Sequence, residues 1–91
     1  MSDADVAREL AALPAWTYDA GEIVRTYDCG NFDGAIGFVN AVAVEANAAD
    51  HHPDLIVRWK SVTVRLSSHD AGGITARDFS LAHAIDRVSA R

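Results

Sequence analysis

The chain has 91 residues, 49% of them hydrophobic and 23% charged, which gives enough apolar surface for one small core and too much for a disordered segment. Its 8 lysines and arginines against 13 aspartates and glutamates leave a formal charge of -5. No basic run could follow a phosphate backbone, which argues against nucleic-acid binding. No stretch has the length of a membrane span or the layout of a signal peptide, so a cytoplasmic protein that engages no membrane is expected.

One domain over residues 1–91 is the expectation, with a stability margin thin enough to favour self-association. The lone Cys29 can form no internal disulfide, which fits a reducing compartment, and no nucleophile motif surrounds it. It reads as a structural thiol.

In chain order, Val6, Leu10 and Leu13 recur at helical spacing and Pro14 stops the run, so a helix is expected over 3–12. The segment AWTYDAGEIVRTYDCG then reads as a hairpin about Ala20-Gly21. It sets Ile23, Arg25 and Tyr27 on one face and Val24 and Thr26 on the other. From Asn31 the period changes. Phe32, Ile36, Val39 and Ala43 predict a long amphipathic helix ending near Asp50, with Gly34 and Gly37 marking close contact with the sheet.

After HHPD, two alternating series follow, Leu55, Val57, Trp59 and then Val62, Val64, Leu66, each reading as a strand. A glycine-rich turn leads to Thr75 as an N-cap, Asp78 in the first turn, and an apolar stripe of Leu81, Ala82, Ile85 and Val88. The predicted order is α-β-β-α-β-β-α. The predicted fold is α+β, a four-stranded, mainly antiparallel sheet with helices packed on one face.

The chemistry sits in three of the four histidines. Pro53 drives His52 out of the helical region, so His51 and His52 present their rings in different directions. His69 comes where the last strand runs out, before the Gly-Gly turn. An imidazole can give or take a proton near neutrality, so three of them suit a reaction that needs both. Zinc binding is the alternative, yet the spacing matches neither HExxH nor a Cys/His finger, and acid/base work ranks above it. The AGG turn could bind an anion but matches no phosphate loop. His83 on the last helix reads as an ordinary structural histidine.

HHP at 51–53, Trp59, His69 and Asp78, together with LPAW, FDGAIGFVNAV and SSHDAGGITARDFSLA, resemble the pattern of the pterin-4a-carbinolamine dehydratases. The likeness runs from Val6 to Val88. It implies a dehydratase that converts a 4a-hydroxytetrahydropterin to the quinonoid dihydropterin in pterin recycling. It also implies a homodimer or homotetramer, and no metal or organic cofactor.

The resemblance further implies His51 and His52 as the acid/base pair, with His69 assisting from the other strand. The pterin would lie along His51, His52 and Pro53 and along Ser68, His69, Asp70 and Ala71, with Trp16 as an apolar wall or as ordinary core. Asp78 would hold the start of the last helix. At Asn47 the family commonly has an acidic residue. Helical spacing turns this position toward His51, so Asn47 is expected to support that ring weakly, with Asp50 as a local substitute. Relatives of this fold also act without catalysis, as dimerisation partners of transcription factors or as an assembly chaperone for a carboxylase. A non-enzymatic interaction module is therefore the competing reading.

Overall fold

A computed structural model describes residues 1–90, with the side chain of His69 outside what is described. Helix α1 spans Asp3–Leu10, shorter than expected, and opens with a capping box in which Ser2 and Asp5 satisfy each other's backbone N–H. Val6 is its buried anchor, and Leu13 beyond its end is buried as well. Strands β1 (Thr17–Asp19) and β2 (Glu22–Asp28) form the expected hairpin. Ala20 and Gly21 both take positive φ in its two-residue turn, matching the twist of the flanking strands.

Helix α2 spans Phe32–Ala49, β3 Asp54–Arg58, β4 Ser61–Leu66 and α3 Ala76–Ser89, with one 3-10 turn at His69–Ala71. The sheet order is β1-β2-β4-β3, every pair antiparallel. On the central strand β4, Val62, Val64 and Leu66 are fully buried while their neighbours are half-exposed. This period of two puts one face of the sheet under the helices. Ile23 pairs with Leu66 and Tyr27 with Val62, so β2 buries the same face. Phe79, Leu81, Ala82 and Ile85 of α3 and Val42 of α2 complete the core. Each such large apolar side chain contributes about 1.5–3 kcal/mol on burial, so a charge at Val64 would unmake the sheet–helix contact.

Two expectations about α2 are corrected. Its inward face is Ala35, Val42 and Ala46, with Phe38 and Val39 partly covered. Phe32 and Ile36 instead lie outward, 53% and 39% exposed. This helix is apolar nearly all round, and the alanines win the inner face because a small side chain lets the helix axis come closest to the sheet. Gly34 does mark a close approach, but to the loop just past β2 rather than to the sheet, since a Cβ there would stand 2.2 Å from the Cys29 carbonyl oxygen, and a Cβ at Gly37 would meet nothing. Trp59 also lies outside β3, in the β3–β4 turn at positive φ.

The register places the site. Asp54 opens β3 opposite Arg65 near the end of β4. The residues before Asp54 and those after Leu66 therefore emerge at the same end of the sheet, where α2 stops and α3 begins.

Candidate active site

Asp50 caps α2 in the left-handed conformation, φ 48°, and the His51 N–H bonds back to the Ala46 carbonyl at 3.1 Å. The helix thus stops before His51 rather than carrying it forward, and the two histidines diverge. His51 turns inward, 7% exposed, and its Nε2 donates to Asp78 Oδ1 at 2.5 Å. His52 turns outward and back over the last helical turn, where its Nε2 meets Asn47 Oδ1 at 3.0 Å. The expected pairing of Asn47 with His51 is therefore corrected: Asn47 serves His52. Asp50 offers His51 no side-chain bond, since the left-handed cap removes it from helical register.

Asp78 is fully buried and has two tasks. Its Oδ2 accepts from the Thr75 N–H and from Ser68 Oγ, both at 2.9 Å, while Oδ1 takes His51. The Thr75 bond is half of a capping box, so one carboxylate starts α3 and orients a ring 27 residues away. Ser68 is buried too, and its hydroxyl also bonds the Thr75 hydroxyl at 2.8 Å. A carboxylate can only accept, so His51 carries a proton on Nε2, and in the neutral ring Nδ1 is the lone pair. The Asn47 amide oxygen fixes the same tautomer on His52.

The second loop is closed by backbone bonds between Ser68 and Gly73, with Gly72 at φ 75°. Asp70 and Ala71 are exposed on it, and Pro53 is half-buried on the first loop. The His69 side chain lies outside the described residues, so its place relative to the other two rings is open. One link between the loops was not expected from sequence. Arg77 donates to the Asp50 carbonyl oxygen at 3.1 Å and to Asp70 Oδ2 at 3.4 Å, bridging the residue before His51 and the residue after His69.

Trp16 belongs to the core. It is buried, its Nε1 donates to Asp86 Oδ1 at 3.0 Å, and its ring meets Tyr27 edge-on. The same oxygen accepts from Arg25 at 2.8 Å and from the Tyr27 hydroxyl. Burial first, then the bond to Asp86, pushes the Tyr27 hydroxyl well above the usual phenol range. Burial and the neighbouring Asp28 push the Cys29 thiol up, as suits an unreactive structural cysteine. Among the described residues no group of three His, Cys, Asp or Glu side chains could hold a metal ion, and no helix is long and apolar enough to cross a membrane.

The family model described as pterin 4 alpha carbinolamine dehydratase matches residues 1–88. The chain belongs to that family. A Chloroflexus aurantiacus relative, named as a candidate pterin-4-alpha-carbinolamine dehydratase, is 49% identical over 88 residues, covering 97% of this chain and 95% of its own. A Nocardia farcinica relative of the same name is 46% identical over 89 residues, covering 98% and 94%. A crystal structure of a Brucella melitensis transcriptional coactivator/pterin dehydratase superposes with a TM-score of 0.93 at 26% identity, covering 98% of this chain and 97% of that one. A pterin dehydratase-like RuBisCO assembly factor of the alpha-carboxysome shares the fold, with a TM-score of 0.66 at 15% identity over 81% and 86%. Dehydratase family members thus share both the sequence pattern and the α+β architecture found here.

Proposed function

We propose that this chain dehydrates a 4a-hydroxytetrahydropterin to the quinonoid dihydropterin by histidine acid/base catalysis. The observation that carries the reading is the divergent pair. Two adjacent imidazoles each commit Nε2 to a separate acceptor, one a buried carboxylate and one an exposed amide, and so each keeps Nδ1 for chemistry.

The elimination breaks the C4a–O bond and the N5–H bond, forms C4a=N5, and releases water. His51 suits the base. Asp78 holds its tautomer and supplies the counter-charge when Nδ1 takes the N5 proton, the part a carboxylate plays behind any catalytic imidazole. His52 suits the acid. A neutral amide stabilises its cation less than a carboxylate would, so the proton passes more readily to the leaving oxygen, and its exposure lets it reload from water. His69 would assist or exchange roles with it, while Pro53, Ser68, Asp70 and Ala71 would flank the ring. The chemistry needs only proton transfer, so no metal or organic cofactor enters the proposal.

Exposed apolar side chains on α2 (Phe32, Ile36, Val44) and at β3 and its turn (Ile56, Val57, Trp59) support self-association as a dimer or tetramer. A chain with one unreactive thiol and no disulfide suits the cytoplasm. The competing reading, an assembly module, draws on the same exposed surface and on Asn47. The test is whether purified protein speeds the loss of 4a-hydroxytetrahydropterin absorbance above the spontaneous rate. A null result with correctly folded protein removes the enzyme reading and leaves the module.

A further inference from the structure

Helices α2 and α3 leave between them a cleft of about 550 Å³ that His51 lines at one end. Its lining includes apolar Ala48 from α2 and Ala84 from α3, and Arg77 and Arg87 stand on its α3 side. None of the described buried polar side-chain atoms lacks a partner. His51 Nδ1 has no bond with the described residues, so it keeps access to solvent among them, and this cleft is an opening that its residue lines.

The charges in the cleft run against those of the chain. Net charge overall is -5, whereas the cleft carries two guanidinium groups against the single carboxylate of Glu45. Arg77 is fixed at the His51 end by its bonds to Asp50 and Asp70. Those bonds occupy two N–H donors of the five a guanidinium offers, leaving others for a ligand. Arg87 lies ten residues further along α3, about 15 Å at the rise of a helix. It makes no hydrogen bond or ion pair with the described residues. Ser80 adds a hydroxyl between the two arginines.

Pterin chemistry connects this cleft to the histidines. N5 is bonded to C6, and C6 carries the substituent that distinguishes one pterin from another. If His51 Nδ1 takes the N5 proton, that substituent begins two bonds away from the reacting nitrogen, at the mouth of the cleft. We infer that the α2–α3 cleft receives the C6 substituent and is built for an anionic one, a phosphate or carboxylate tail, rather than a neutral polyol. This rests on the dehydratase reading. A polyol gains only hydrogen bonds to neutral hydroxyl oxygens from a pair of guanidinium groups, whereas an anion is drawn to both by charge and orders against Arg77 first. A short tail ends between Arg77 and Ser80, and a longer one reaches Arg87.

The test pairs one pterin with and without a phosphate on its C6 side chain. In the oxidised, fluorescent form, the phosphorylated pterin should bind about tenfold or more tightly at low salt. That advantage should shrink as salt screens the arginines. The two 4a-hydroxytetrahydro forms should show the same preference in kcat/KM. Arg77→Gln should bring the ratio between the two pterins close to one. Arg87→Glu, at a side chain with no partner among the described residues, should reduce it severalfold. Equal binding and equal turnover of the two pterins, or a ratio that neither variant moves, overturns the inference. Dehydration of both without preference sinks the cleft assignment and keeps the enzyme. Preferred binding that depends on the arginines, with dehydration of neither pterin, overturns the dehydratase reading and keeps the anion site.

Discussion

Asn47 accepts its hydrogen bond from His52, while His51, one residue earlier, reaches 27 residues forward to Asp78. Two neighbouring rings thus rest on partners of different charge, and exchanging one partner tests the division of labour. Asn47→Asp should place a carboxylate beside an exposed imidazole and favour its cation. An exposed pair contributes about 0.3–1 kcal/mol, so the change in rate should stay within about fivefold, with the alkaline limb of kcat/KM, set by the group that must stay protonated, moved to higher pH. A pH profile that superposes on the wild type would mean that His52 carries no proton in the reaction.

Replacing Asp78 by asparagine should damage two things at once. The lost cap on α3 and the lost acceptor for Ser68 should lower stability by about 1–3 kcal/mol. The lost carboxylate behind His51 should lower kcat by two orders of magnitude or more, an effect of the wrong tautomer rather than of unfolding. Chemical denaturation and kcat measured on the same preparation separate the two. Ser68→Ala is the matching control, with a similar direction in stability and a far smaller loss of rate.

His52→Ala should slow dehydration by roughly two to four orders of magnitude and leave the unfolding midpoint in place, because the ring is exposed and packs against little. His69→Ala should slow the reaction and flatten one limb of the pH profile. Near-normal turnover in the first variant would remove His52 from the mechanism, and an unchanged profile in the second would make His69 structural.

Activity should survive exhaustive chelation, since proton transfer suffices for this elimination. Loss of turnover with chelator, restored by zinc, would replace the acid/base scheme with a metal-bound one.

The Tyr27–Asp86 bond should be visible in the pH dependence of stability. The folded-state pKa of Tyr27 is raised above its unfolded value near 10, so its contribution is whole below about pH 10 and is lost as pH rises beyond it. Urea denaturation from pH 7 to 11 should show stability falling through the alkaline end, with a shallower fall in Tyr27→Phe. That variant should also cost about 1–2 kcal/mol at neutral pH. Parallel curves for the two proteins would assign the alkaline loss to other groups.

Much of this was legible in the chain. The alternation of Val62, Val64 and Leu66 predicts a strand buried on one face, and the Thr75–Asp78 spacing predicts the start of α3, because both are local patterns that tertiary packing only reinforces. The HHP run is likewise a local feature, and it pointed to the loop that carries the candidate site. The face of α2 was not legible. When a helix is apolar nearly all round, periodicity cannot choose a side, and the choice falls to whichever residues let it sit closest. The partner of His52 was missed because a left-handed Asp50 breaks the helical register on which an i,i+4 argument depends. Asp86, too, gathers Trp16, Arg25 and Tyr27 from 59 to 70 positions away, and spacing in sequence carries no trace of that meeting.

The double duty of Asp78 bears on how this family can be read through descent. A lineage that abandoned the reaction would still be held to an acid at this position by the need to begin α3, so the aspartate would outlive the chemistry. His52 has no such second employment: it is exposed, and its one bond among the described residues goes to an exposed amide. Drift should reach His52 first and Asp78 last. In a distant relative, an aspartate that persists beside a lost second histidine would record a fold still maintained after its reaction had gone.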